Sequence, residues 1–210
     1  MRQAVGADGL CSFVNLKGSV VQKGGKGVAF ADSLAEDARD RVISFVMIDS
    51  DQEEAVRTLK RAASDRRMHG PFFLNQPDFE LANFTVEELL RVALATRLDV
   101  RFEDAEVDEQ VPSVLPKIAS AKSGKEFFNL LRHVGIDGVS KGEKWGEALM
   151  NYAIKHPVFP EKDPRAGKER GVIDAARTLI RAQSVGYLRS VHIEVIDPET
   201  GKMVQRQDRS

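Results

Sequence analysis

The run VISFVMIDSD, residues 42–51, decides how this sequence folds. Apolar residues of high strand propensity end in two aspartates one residue apart, which reads as a buried central strand delivering carboxylates to its carboxyl end. In open α/β sheets ligands bind in the crevice beyond that end. Residues two apart on an extended chain point to the same side, so Asp49 and Asp51 aim both carboxylates at one point if strand geometry persists through the turn.

On the amino-terminal side, LCSFVNL (residues 10–16) fits a short strand, and the loop KGSVVQKGGKG after it is basic and glycine-rich. A helix fits residues 30–39, with Phe30, Leu34 and Ala38 on one face. Downstream, a helix from Glu53 to about Arg66 carries Val56, Leu59, Lys60 and Ala63 at amphipathic spacing, and Gly70 with Pro71 stops it. Phe72, Phe73 and Leu74 begin another strand, and the polar NQPDFE loop leads into FTVEELLRVALATRL, where Thr85 and Glu88 form a capping-box pattern. Strand and helix alternate three times, which argues for an α/β fold with a parallel sheet covered on both faces.

Residues 1–98 therefore read as the α/β core and residues 99–210 as a mostly helical region. The acidic stretch DVRFEDAEVDEQ, punctuated by Pro112 and Pro116, suggests a connection out of the core. Helices fit residues 124–133, 144–154 and 172–182, and SVHIEVIDPETGKMV reads as a closing hairpin.

Composition narrows the class. At 210 residues and 42% hydrophobic content the chain can bury a substantial core, and its 30% charged residues nearly cancel to a net −1. Nucleic-acid binding must then rest on local patches rather than on an overall basic field. A single cysteine, Cys11, excludes an internal disulfide framework or thiolate cluster and fits a reducing compartment. No apolar run reaches ~18 residues and no signal-peptide layout opens the chain, so a soluble cytoplasmic protein without a membrane span is expected. The four histidines, His69, His133, His156 and His192, lack metal-ligand spacing.

The acids carry the candidate chemistry. Asp78 and Glu80 repeat the spacing of Asp49 and Asp51 after the next strand, and in a parallel sheet both pairs reach the same rim. Carboxylates at close range repel unless a cation lies between them, and magnesium suits oxygen ligands that leave room for water and a substrate phosphate. Four acids can hold two metals ~3.5–4 Å apart, the arrangement that hydrolyses phosphodiesters. The competing reading is local: Asp49 or Asp51 can simply N-cap the helix beginning near Glu53.

The run VISFVMIDSD with its helix, followed by GPFFLNQPDFELANFTVEELL, resembles the second half of a Toprim domain of the OLD (overcoming lysogenisation defect) nuclease type. The resemblance implies a Rossmann-like sheet, Mg2+ or Mn2+ held by Asp49, Asp51, Asp78 and Glu80, and nicking or cleavage of DNA, often in defence against phage. It also implies a lysine near the scissile phosphate. The segment VSKGEKWGEALMNYAIKHP is similar to that region and nominates Lys141 first and Lys144 second. One element of the pattern is missing: the family's general acid/base glutamate on a first strand has no counterpart before Leu10, as though the chain enters the fold after that strand. A sheet short of a strand exposes an edge, so an oligomer, an ATPase domain or a complementary partner chain is expected beside it. A non-catalytic Toprim-like interaction subunit and, third, a receiver-like phosphoryl-transfer domain are the rival readings. Two basic loops are further candidates for DNA-backbone contact: KGGKG, which lacks the phosphate-loop order, and the mixed-charge DPRAGKERG at residues 163–171.

Overall fold

The computed structural model describes residues 26–40 and 43–190. The strand expected at residues 10–16, most of the KGGKG loop and the closing hairpin lie outside them. The chain is a mostly helical α/β protein with a small parallel sheet: α1 (Lys26–Arg39), β1 (Val46–Asp49), α2 (Glu53–Ser64), β2 (Phe72–Asn75), α3 (Phe79–Asn83), α4 (Val86–Leu98), α5 (Ala105–Ile118), α6 (Gly124–His133), α7 (Glu143–Lys155) and α8 (Gly171–Ser190). Two compact units divide it. Of the described residues, those up to Ala175 belong to one and those from Ala176 to Ser190 to the other. Among the described residues no helix is long and apolar enough to cross a membrane.

β1 and β2 pair in parallel across α2, in the register Val46↔Phe72 through Asp49↔Asn75. The ladder is shorter than the apolar run because β2 is bounded by Pro71 and Pro77, neither of which has an N–H to donate. Val46 and Ile48 are buried in one core with Phe30 and Leu34 of α1, Ala55, Leu59 and Ala62 of α2, and Met68. The buried stripe of α2 is Ala55, Leu59 and Ala62: of the expected Val56, Leu59, Lys60 and Ala63, Leu59 is buried and Val56 packs partly buried against the core, while Ala55 and Ala62 take the places expected of Lys60 and Ala63. Strand alternation turns Asp49 and Asn75 to the opposite face, at the carboxyl rim of the sheet.

A larger helical core follows. α4 begins with the expected capping box: the Thr85 hydroxyl accepts from Glu88 N–H while the Glu88 carboxylate accepts from Thr85 N–H. Its Leu89, Leu90, Val92, Ala93 and Leu94 are all buried, so α4 is apolar nearly all round and sits centrally, packed by α5 and α7. Each fully buried leucine contributes about 1.5–3 kcal/mol.

Of the expected connection at residues 99–110, residues 99–104 do link α4 to the next helix, but residues 105–110 are the start of α5, which carries both prolines in its interior. Val107, Val111 and Ile118 recur at helical spacing and are buried. Their packing against α4 and α6 offsets the hydrogen bonds that Pro112 and Pro116 forgo. Punctuation by proline was a weaker force here than the apolar stripe.

Candidate metal centre

β1 stops at Asp49, and Ser50 and Asp51 form a turn in which Gln52 N–H donates to the Asp49 carbonyl. Extended geometry does not continue through Asp51, which is exposed and accepts from the Gln52 side chain at 3.3 Å. Gln52 itself occupies the N-cap of α2 and makes no capping bond with its side chain. Neither Asp49 nor Asp51 is that helix's cap.

Asp49 is half-buried at the rim. Asn75, opposite it in the ladder, donates its side-chain amide to Asp49 Oδ1 at 3.2 Å. Asn83, fully buried on α3, donates in turn to Asn75 Oδ1 at 3.2 Å and accepts the backbone N–H of Val172 at 2.7 Å. A chain of amides thus ties the first acid to α3 and to the start of α8. Local pattern gave no warning of it, since both asparagines find their partners through the fold.

Asp78 is the N-cap of α3. Its Oδ1 accepts from Leu81 N–H at 3.0 Å, and its Oδ2 accepts the backbone N–H of Gly124, the first residue of α6. The short helix α3 replaces the loop expected here, and the signal was an aspartate directly before the FEL sequence. Glu80, in the first turn of α3, is almost wholly buried, and Lys141 Nζ lies 2.9 Å from both of its carboxylate oxygens. Gly124 leaves the space for that contact: a Cβ there would lie 2.6 Å from Glu80 Oε2 and 3.2 Å from Lys141 Nζ. Lys144 stands exposed in the first turn of α7 and forms no ion pair among the described residues. Of the two lysines nominated, Lys141 meets an acid.

The acids share one electric field. Burial pushes the Asp49 carboxyl above the usual aspartate range, the Asn75 hydrogen bond partly offsets this, and the charges of Asp78, Glu80 and Asp51 push it up further. Such a group disfavours the folded state when ionised. The penalty is absent below the unfolded value of 3.8 and grows as pH rises through the elevated folded value. Asp49→Asn keeps an acceptor oxygen for Asn75, so without divalent ions it should melt above wild type at pH 7–8 by roughly 1–2 °C, the gap closing toward pH 4. Melting curves across that range check the sign; a variant less stable at pH 8 would contradict it.

Chemically the set suits a hard divalent cation: carboxylate oxygens only, with one cationic neighbour. As they stand, however, each buried acid is held by a protein donor, and among the described residues no three His, Cys, Asp or Glu side chains gather tightly enough to coordinate an ion. An ion would compete with Lys141 for Glu80, with Asn75 for Asp49 and, at exposed Asp51, with the Gln52 side chain. Comparisons of the chain with known protein families, with curated proteins and with solved structures find no match.

Proposed function

We propose that the chain is a divalent-metal-dependent DNA endonuclease of OLD/Toprim type, or the metal-binding part of one, hydrolysing phosphodiester bonds. The observation that supports this reading best is the contact between Glu80 and Lys141 at the rim where β1 and β2 end, with Asp49 in the field of Asp51, Asp78 and Glu80. In this reading Asp49, Asp51, Asp78 and Glu80 hold Mg2+ or Mn2+, which when bound supplies an activated water and stabilises the departing oxygen. Lys141 is half-exposed, so its ammonium can leave Glu80 and meet the charge that develops on a phosphate. Asn75 orients Asp49, and Gly124 N–H fixes one oxygen of Asp78, so both carboxylates are aimed before any ligand arrives. The βαβ unit β1–α2–β2 is the part of a Rossmann-like sheet that this role requires.

A second reading rests on the same contacts. Because every buried acid already has a donor, the rim can persist as a structural network in a non-catalytic Toprim-like subunit that assembles with an ATPase or a complementary chain. Supercoiled plasmid incubated with Mg2+ or Mn2+ separates the two. The nuclease reading expects nicking by wild type and a loss of more than ~100-fold in the Asp49→Ala, Asp51→Ala double variant, matched by loss of Mn2+ binding in a spin-resonance titration. Inert wild type whose Mn2+ binding still depends on the two aspartates supports the subunit reading. Cleavage undiminished in the double variant rules out this site.

A further inference from the structure

Beside the acid cluster lies a groove of about 620 Å³ between α6 and the 137–141 loop. Lys125, Phe128 and Arg132 form its helical wall, at i, i+3 and i+7 on one side of α6. Val139, Ser140 and Lys141 line the facing loop. Two exposed cations, Lys125 and Arg132, and Lys141, whose ammonium is paired with Glu80, therefore stand beside one lining anion, Asp137, in a chain whose net charge is −1. Neither Lys125 nor Arg132 forms an ion pair among the described residues, whereas two of the three cations of the DPRAGKERG loop are engaged by the fold, Arg165 by Asp163 and two carbonyls of α3 and Arg170 by full burial, which leaves Lys168 as that loop's exposed cation. The groove also has a direction. Lys125 follows Gly124, which abuts Glu80, and Lys141 belongs both to the groove wall and to the Glu80 contact.

We propose that this groove holds the phosphodiester backbone of one strand of duplex DNA and leads it to the rim at Glu80. The proposal rests on the nuclease reading for its substrate class and adds where, and by which atoms, that substrate is gripped. Lys125 and Arg132 stand seven helical positions apart, about 10 Å along the axis of α6, which is wider than the ~3.4 Å of duplex axis per phosphate of one strand. Lysine and arginine at that interval meet two separate phosphates of one backbone while Lys141 receives the one nearest the acids. Phe128 is only 5% exposed, held edge-on by Phe127 and Trp145, and offers no face on which a base can stack. Recognition is therefore by backbone charge, without sequence preference and with steep dependence on salt.

The test is anisotropy of a labelled short duplex titrated with the full chain in EDTA across a series of salt concentrations, so that cleavage and metal binding play no part. Wild type should bind, with affinity falling as salt rises. Lys125→Glu with Arg132→Glu should weaken binding at least ~10-fold and shrink the salt slope by about 2, roughly one per lost phosphate contact. Lys125→Gln with Arg132→Gln should give a smaller loss in the same direction. The same charge reversal on α2, Arg57→Glu with Lys60→Glu, should leave affinity within about threefold, since those side chains lie outside the groove. The proposal is overturned if wild type does not bind, if the α2 control falls equally, if the slope is unchanged, or if a polyglutamate peptide displaces the duplex as well as unlabelled DNA does. Failure of the metal site would leave this binding intact, and failure of the groove would leave Mn2+ binding intact, so the two fail separately.

Discussion

Arg170→Met should cost the fold about 3–5 kcal/mol, which in a chain of this size lowers the melting temperature by roughly 6–20 °C. Arg170 is fully buried, the costliest place for a cation, and the fold answers each of its donors. Nε donates to the His156 carbonyl; Nη1 to the Asn83 carbonyl and, at 3.1 Å, to Glu88 Oε2; Nη2 to Glu88 Oε1 at 2.6 Å and to the Val158 carbonyl at 3.1 Å. The rings of Phe159 and Phe84 lie 4.9 and 5.2 Å from the guanidinium carbon. Methionine fills much of the volume but leaves three carbonyls and the buried Glu88 carboxylate without their cation. Lysine is no substitute, because one ammonium cannot span acceptors spread across α3, α4 and the 156–158 turn. The cost should be largely a cost of orphaning Glu88. Arg170→Met combined with Glu88→Gln should therefore lose less than the sum of the single variants, with a coupling of at least about 1 kcal/mol by denaturant titration. Strict additivity would show that the pair is incidental to the core.

The position of that pair explains what could and could not be read from the sequence. The Thr85–Glu88 capping box was legible because it closes within three residues, and so were α1, α4, α6 and α7, whose apolar positions recur at helical spacing. The parallel βαβ unit followed from an apolar strand, a charged helix and a second strand. Glu88 has a second role, binding Arg170 and accepting from the Tyr152 hydroxyl at 3.4 Å, that joins residues 64 and 82 positions away and leaves no local trace. Arg170 belongs to the mixed-charge loop that the sequence offers for DNA-backbone contact, and only the fold shows that it is drawn inward. The same limit applies at the rim. The four acids and Lys141 stood out as charge placed after strands, but whether each acid is free, capping or paired depends on Asn75, Asn83 and Gly124, whose partners come from other elements. The stretch at residues 99–110 erred the other way: acidic residues and prolines suggested a linker, while the Val107, Val111, Ile118 stripe made a helix.

Gly124→Ala should destabilise the protein although alanine is the better helix former by about 0.8–1 kcal/mol. Gly124 is the first residue of α6, capped by Ser123, whose hydroxyl accepts from Glu126 N–H at 3.2 Å, so helix formation alone favours the substitution. The added methyl would lie 2.6 Å from Glu80 Oε2 and 2.8 Å from its Cδ, and Glu80 is too buried to swing aside at little cost. Either α6 withdraws, stretching the bond from Gly124 N–H to Asp78, or Glu80 rotates and loses Lys141. Overpacking of this kind costs about 1–3 kcal/mol, so the net loss should be measurable, and Gly124→Val should lose more. The cause is checked in a Glu80→Ala background, where the carboxylate is gone and Gly124→Ala should turn neutral or stabilising. A loss of equal size in both backgrounds would place the strain elsewhere. Because the methyl displaces a proposed metal ligand, Gly124→Ala should also change Mn2+ affinity while leaving Asp49 and Asp51 untouched. A glycine whose side-chain hydrogen faces a buried carboxylate and its lysine is thus held there by the geometry of the rim rather than by the needs of its own helix.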